Sequence, residues 1–99
     1  MVNAVVEADE ATITEEKSPL INIYPNPVNQ YGQLQVSIKS DVPVSQIRLY
    51  DLYGRLHLSQ DVIDQQEVYS LDIGETQTGT YLVLVTAGDQ TWPHKIIIQ

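Results

Sequence analysis

From Pro19 onward, apolar and polar residues alternate with a period of two, the spacing that gives an extended chain one apolar and one wet face. Leu20–Tyr24 reads as a first strand, stopped by Pro25-Asn26-Pro27, because prolines flanking an Asn cannot continue a ladder. Leu34, Val36 and Ile38 then alternate with Gln33, Gln35, Ser37 and Lys39 as a clear amphipathic strand. In the stretch Gln46–Ser59, Ile47 and Leu49 alternate with Arg48 and Tyr50, and Leu56 and Leu58 with Arg55, His57 and Ser59. Asp51-Leu52-Tyr53-Gly54 lies between them. Asp bonds its own backbone at a turn and Gly accepts a positive φ, so this is a β-hairpin with both Leu56 and Leu58 expected on its apolar face. Tyr69, Leu71 and Ile73 share the face of a further strand, and Gly74–Gly79 is a loop. Tyr81–Val85 is apolar on both faces, as suits an interior strand. Thr91–Gln99 closes the domain, with Pro93 placing its start at an edge or bulge. About seven short strands joined by Gly, Pro, Asn and Asp turns predict an all-β, antiparallel immunoglobulin-like β-sandwich over residues 19–99.

The composition supports strands, since Val, Ile, Leu, Tyr and Thr dominate and Phe is absent. Residues 1–18 differ, with Glu7, Asp9, Glu10, Glu15 and Glu16 against Lys17, and read as an acidic linker. Val5, Val6 and Ile13 leave room there for a short pairing segment. A net charge of −8 argues against nucleic acid and anionic membrane surfaces, because nothing here neutralises a run of phosphates. There are no cysteines, which excludes disulfides and thiolate metal sites. No basic, apolar leader is visible at the start, so an exported protein would have this chain as a piece of something longer.

No catalytic constellation stands out. His57 and His94 are isolated and expected on the surface, without the ordered third ligand of a zinc site. The acids match no helix–loop calcium pattern, and a looser calcium loop stays open on acidic charge alone. The glycines stand singly, so no phosphate-cradling loop exists, and no cofactor is expected. Trp92 and the six tyrosines offer a carbohydrate platform only if they escape strand packing.

Four pieces taken together are more specific. They are Ile23-Tyr24-Pro25-Asn26-Pro27, the hairpin turn Tyr50-Asp51-Leu52-Tyr53-Gly54-Arg55, the strand entry Gly79-Thr80-Tyr81-Leu82-Val83, and the ending Lys95-Ile96-Ile97-Ile98-Gln99. In this order and spacing the chain resembles, over Pro19–Gln99, the type A C-terminal sorting domain of the type IX secretion system. The resemblance implies a secretion address rather than a catalyst, carried by a cargo of a Bacteroidota-type bacterium. The cargo crosses the periplasm, is read by the outer-membrane translocon with its shuttle proteins, and reaches the cell surface. A sortase-like peptidase usually removes such domains near their N-terminal border, here within residues 1–18 or just before Pro19; some are retained, and both outcomes stay open. Lys95, Ile96, Ile97, Ile98 and Gln99 are the expected recognition residues, because an edge strand offers unpaired N–H and C=O groups to a partner. The same edge would allow weak self-pairing of the isolated fragment. Tyr24, Pro25, Asn26, Pro27, Asp51, Gly54, Gly79 and Tyr81 are expected to act mainly through folding. The competing reading is a carbohydrate- or protein-binding module of a surface adhesin, binding through Trp92 and exposed tyrosines.

Overall fold

The computed structural model describes residues 18–99. The linker reading and its proposed cut fall almost wholly outside these residues. Seven strands form two antiparallel sheets: β1 (Leu20–Tyr24), β2 (Gln33–Lys39), β3 (Val44–Asp51), β4 (Leu56–Asp61), β5 (Val68–Asp72), β6 (Gly79–Ala87) and β7 (Gln90–Ile98). One sheet has the order β1-β2-β5 and the other β4-β3-β6-β7. This is an all-β sandwich of immunoglobulin-like kind, with β6 in the interior position its two-sided apolar pattern requires.

The alternation places the core. Leu34, Val36 and Ile38 of β2 and Tyr69 and Leu71 of β5 are buried against Ile47, Leu49, Val83, Val85, Ile96 and Ile98 of the facing sheet. Each strand's alternate residues point away, so the two inner faces interdigitate and the outer faces stay polar or mixed. Pro93 lies on β7, an edge strand, where its missing N–H costs no ladder bond.

The hairpin departs from simple counting. The register between β3 and β4 shifts at Leu49/Tyr50, so Leu49 faces Leu58 while Tyr50 faces Leu56. The extra residue is His57. A bulge inserts one residue into one strand and reverses the facing of all that follows. Leu56 therefore leaves the apolar face it was expected to share with Leu58, and is exposed.

A second departure concerns the last strand's edge. After β1, the chain crosses to the other sheet and runs alongside the end of β7. The Val28 N–H donates to the Ile97 carbonyl (2.9 Å), the Gln99 N–H donates to the Val28 carbonyl (2.8 Å), and the Gln30 N–H donates to the Gln99 carbonyl (2.9 Å). Val28 and Ile98 form a parallel bridge, and Val28 is buried in the core. The backbone edge of Ile97–Gln99, expected to be open to a partner, is occupied by the chain's own residues 28–30.

Candidate functional site

The strand register gathers the chain's four distinctive segments at one pole of the sandwich. Asp51 of β3 is level with Tyr81 of β6, and Tyr81 with Ile96 of β7. Gly79 is level with Ile98, and the Pro25-Asn26-Pro27 bend lies beside them across the β7 edge. At about 4.8 Å per strand step, Asp51 and Ile96 are about 10 Å apart. Segments spread over three quarters of the sequence thus form one continuous band.

Asn26 ties the band at one side. Its Nδ2 donates to the Lys95 carbonyl (3.2 Å) and its Oδ1 accepts from the Ile97 N–H (3.0 Å). One side-chain amide thereby stands in for a strand neighbour along the rim of β7. The Tyr24–Pro25 and Asn26–Pro27 peptide bonds are both cis. Asn26→Ala is expected to cost about 1 kcal/mol in urea unfolding and to speed amide exchange at Ile97, since both backbone groups return to water.

Tyr81 ties the middle. Its ring is buried and its hydroxyl donates to the Gln77 carbonyl (2.6 Å), four residues upstream at the entry to β6. This is the tyrosine corner of immunoglobulin-like sandwiches. Gly79, at φ 151°, makes the backward turn that a residue with a Cβ would resist. Tyr81→Phe keeps the ring and removes the bond; the expected loss is about 1 kcal/mol by urea denaturation, with the fold retained.

Asp51 ties the other side. Its carboxylate is buried and accepts from the Tyr53 N–H (2.8 Å), the Arg55 N–H (3.0 Å) and Arg55 Nε (2.6 Å), and it contacts His57 Nε2 at 3.0 Å. The bond to His57, backed by those from Arg55 and Tyr53, outweighs burial and holds the Asp51 carboxyl well below the usual carboxylate range. The His57 ring meets the edge of Tyr81 at 5.2 Å between centroids and 89° between planes. His57 is exposed, as expected of the wet side of the hairpin, and its ring links the turn to the tyrosine corner. His94, expected on the surface, lies level with Val83 on the core-facing side and is partly buried. Gly54, at φ 84°, closes the turn.

At the tail, Ile96 and Ile98 are buried in the core, whereas Lys95, Ile97 and Gln99 are exposed. The five residues named for recognition therefore divide into two inward and three outward side chains. A surface depression lies elsewhere, at the opposite pole, lined by Pro19, Leu20, Lys39, Asp41 and Glu67. Among the described residues, no three His, Asp or Glu side chains converge as metal ligands would.

A turn, a corner and a clamped strand end thus interlock at one pole of the sandwich. Residues 22–99 match the family described as the secretion system C-terminal sorting domain, and the chain belongs to that family, the sorting domains of the type IX secretion system. It is a family of sorting signals, not of enzymes. No curated protein matches the chain. Among solved structures, the chain is similar to the sulfur carrier protein SoxY from Chlorobium limicola f thiosulfatophilum, at 18% identity and a TM-score of 0.47, covering 82% of this chain and 76% of that one.

Proposed function

We propose that this domain performs no reaction and serves as a folded address, read by the type IX machinery at the outer membrane to deliver an attached cargo to the cell surface. The observation that carries the reading is the single band formed by Asn26, the β7 end, Gly79, Tyr81 and Asp51. Those residues are far apart in sequence and meet only in the finished fold, so a reader of this pole reads a completed domain. Recognition by strand addition along Ile97–Gln99 is not the route, because residues 28–30 already fill that edge. The contact surface is instead the outward face of the tail, Lys95, Ile97 and Gln99, with Ile96 and Ile98 holding it in place from the core. Lys95 is one of only four cations among the described residues, which suits it to an acidic reader. Removal by a sortase-like peptidase on the N-terminal side of Pro19 would leave this pole untouched, since Pro19 joins the sandwich at the other end.

The adhesin reading has less support. Trp92 lies level with Val85 on the core-facing side of β7 and is only partly exposed, so it forms no flat platform for a sugar. The test is a fusion of residues 1–99 to a periplasmic reporter in a bacterium with this secretion system, comparing wild type with Lys95→Ser/Ile97→Ser/Gln99→Ser. These side chains are exposed, so the variant is expected to fold and to remain periplasmic while wild type reaches the surface. Surface delivery of the triple variant at the wild-type level sinks the tail assignment, and a wild-type fusion that stays in the periplasm sinks the reading as a whole.

A further inference from the structure

The turn between β3 and β4 holds two large apolar side chains in water on a rigid mount. Tyr53 is 87% exposed and Leu52 62% exposed, while the Arg55 side chain is 73% exposed. Turn tips ordinarily carry small or polar residues. Here the backbone beneath them is fixed by the buried Asp51 carboxylate, which accepts from Tyr53 and Arg55 N–H groups, and by the Gly54 N–H donating to the Asp51 carbonyl (3.1 Å) and the Asp51 N–H donating to the Arg55 carbonyl (3.0 Å). The Arg55 guanidinium sits 5.6 Å from the centre of the Tyr53 ring, so the two heads form one unit. Tyr and Arg on a preorganised loop are the residues that dominate protein–protein binding energy, because little freedom remains to be lost on contact.

We infer that Leu52, Tyr53 and Arg55 form a second docking element, which inserts into an apolar pocket rimmed by carboxylates on a protein of the sorting machinery. The inference rests on the reading above and names a partner chemistry for the same pole. Charge distribution selects that partner. On the β4-β3-β6-β7 sheet and its turns, Arg55 and Lys95 lie toward this pole and Arg48 lies mid-strand, whereas the acids Asp61 and Asp89 lie toward the opposite pole; Asp72 and Glu75 also lie at this pole, but at the end of the β1-β2-β5 sheet. Asp51, the acid at the base of the turn, is occupied by Arg55 and His57. A partner surface bearing carboxylates is therefore attracted to the four-stranded sheet's side of this pole, where Arg55 and Lys95 stand. An anionic lipid surface would meet the repulsion of a net charge of −8. A second copy docking symmetrically would set like charges together. The turn base is about 10 Å from the tail across three strands, so one partner face of roughly 800 Å² spans both.

The test is the same 99-residue fusion carrying Leu52→Ser/Tyr53→Ser, with Ile63→Ser as control. Ile63 is 91% exposed in the β4–β5 connection. The double variant is expected to keep the wild-type urea midpoint and to lower surface delivery about tenfold or more, with Ile63→Ser at the wild-type level. Wild type and double variant delivered equally overturn the docking element and leave the address reading standing; a wild-type fusion retained in the periplasm overturns both. An equal loss with Ile63→Ser overturns it as well, because any exposed apolar residue would then serve. The purified chain is also tested by flotation with phosphatidylethanolamine–phosphatidylglycerol vesicles and by sedimentation. Tyr53-dependent flotation, or a Tyr53-dependent dimer, replaces the protein pocket with a lipid surface or a second copy and overturns the proposal.

Discussion

Deleting Lys95–Gln99 will unfold the domain rather than merely silence it. The deletion removes Ile96 and Ile98, both buried in the middle of the core, and with them nearly half of β7. Large-to-small changes at two such positions cost together roughly 4–10 kcal/mol. A domain of this size has about 5–15 kcal/mol in total. The loss extends beyond the core, since the N–H groups of Val28 and Gln30 and the amide of Asn26 lose their partners on the same strand. Near- and far-UV circular dichroism of the truncated chain should show an unfolded or molten species, and a cooperative urea transition would contradict the account. Export failure of a truncated fusion therefore reports folding and recognition together. Substitutions confined to the outward side chains separate them.

This coupling bears on how an address can work. The residues that hold the pole together and the residues offered on it alternate along the same strand: Ile96 and Ile98 inward, Lys95, Ile97 and Gln99 outward. A reader of the outward set is sensitive to the inward set without touching it. Asn26 and residues 28–30 extend the coupling to the first strand, and Tyr81 with Asp51 extends it to the hairpin. A chain stalled before the segment after β1 reaches the other sheet, or before β7 docks, presents no complete band. Local opening at this pole should thus track loss of delivery, a relation that amide exchange at Ile97 and Gln99 can follow.

Much of the fold is legible in the sequence because it follows a period of two. β2 comes directly from alternation, the end of β1 from Pro25-Asn26-Pro27, the interior position of β6 from an apolar run on both faces, and Pro93 marks the edge. The bulge at His57 does not, since one inserted residue leaves the apolar count of LHL intact while turning Leu56 outward. The clamp on β7 is illegible for a different reason. Asn26 meets Lys95 and Ile97 across about seventy residues of sequence, and a single amide has no periodicity to announce it. The link from Asp51 through His57 to Tyr81 needs the β3–β6 register before it can be drawn. One part of it had an available signal: given an immunoglobulin-like sandwich, a Tyr two residues after a Gly at the entry to the sixth strand is the tyrosine corner. The outward facing of Leu52 and Tyr53 is not legible in the sequence, because the alternation that sorts inward from outward stops at a turn.

The Asp51 carboxylate should be the acid whose loss most weakens the domain. Asp51→Ala removes the one acceptor shared by the N–H groups of Tyr53 and Arg55, the Arg55 guanidinium and the His57 ring, and hydrogen bonds to a charged acceptor contribute more than neutral ones. Asp51→Asn keeps the shape but replaces one of the two acceptor oxygens with an NH2 donor facing other donors. Both variants should lower the melting temperature further than alanine at Asp41, Asp61 or Asp89, which are exposed. The pH dependence carries a definite sign. The folded carboxyl titrates well below its ordinary value, so the unfolded chain binds the proton first as pH falls. Its stabilisation is complete above the unfolded value of about 4 and is lost progressively as pH falls from there toward the folded value. Urea unfolding of wild type should therefore weaken steeply between about pH 5 and pH 2, and Asp51→Asn should lack that share of the slope while already being weaker at neutral pH. Parallel slopes for the two proteins would show that the Asp51 carboxyl is not held in its ionised form by Arg55 and His57.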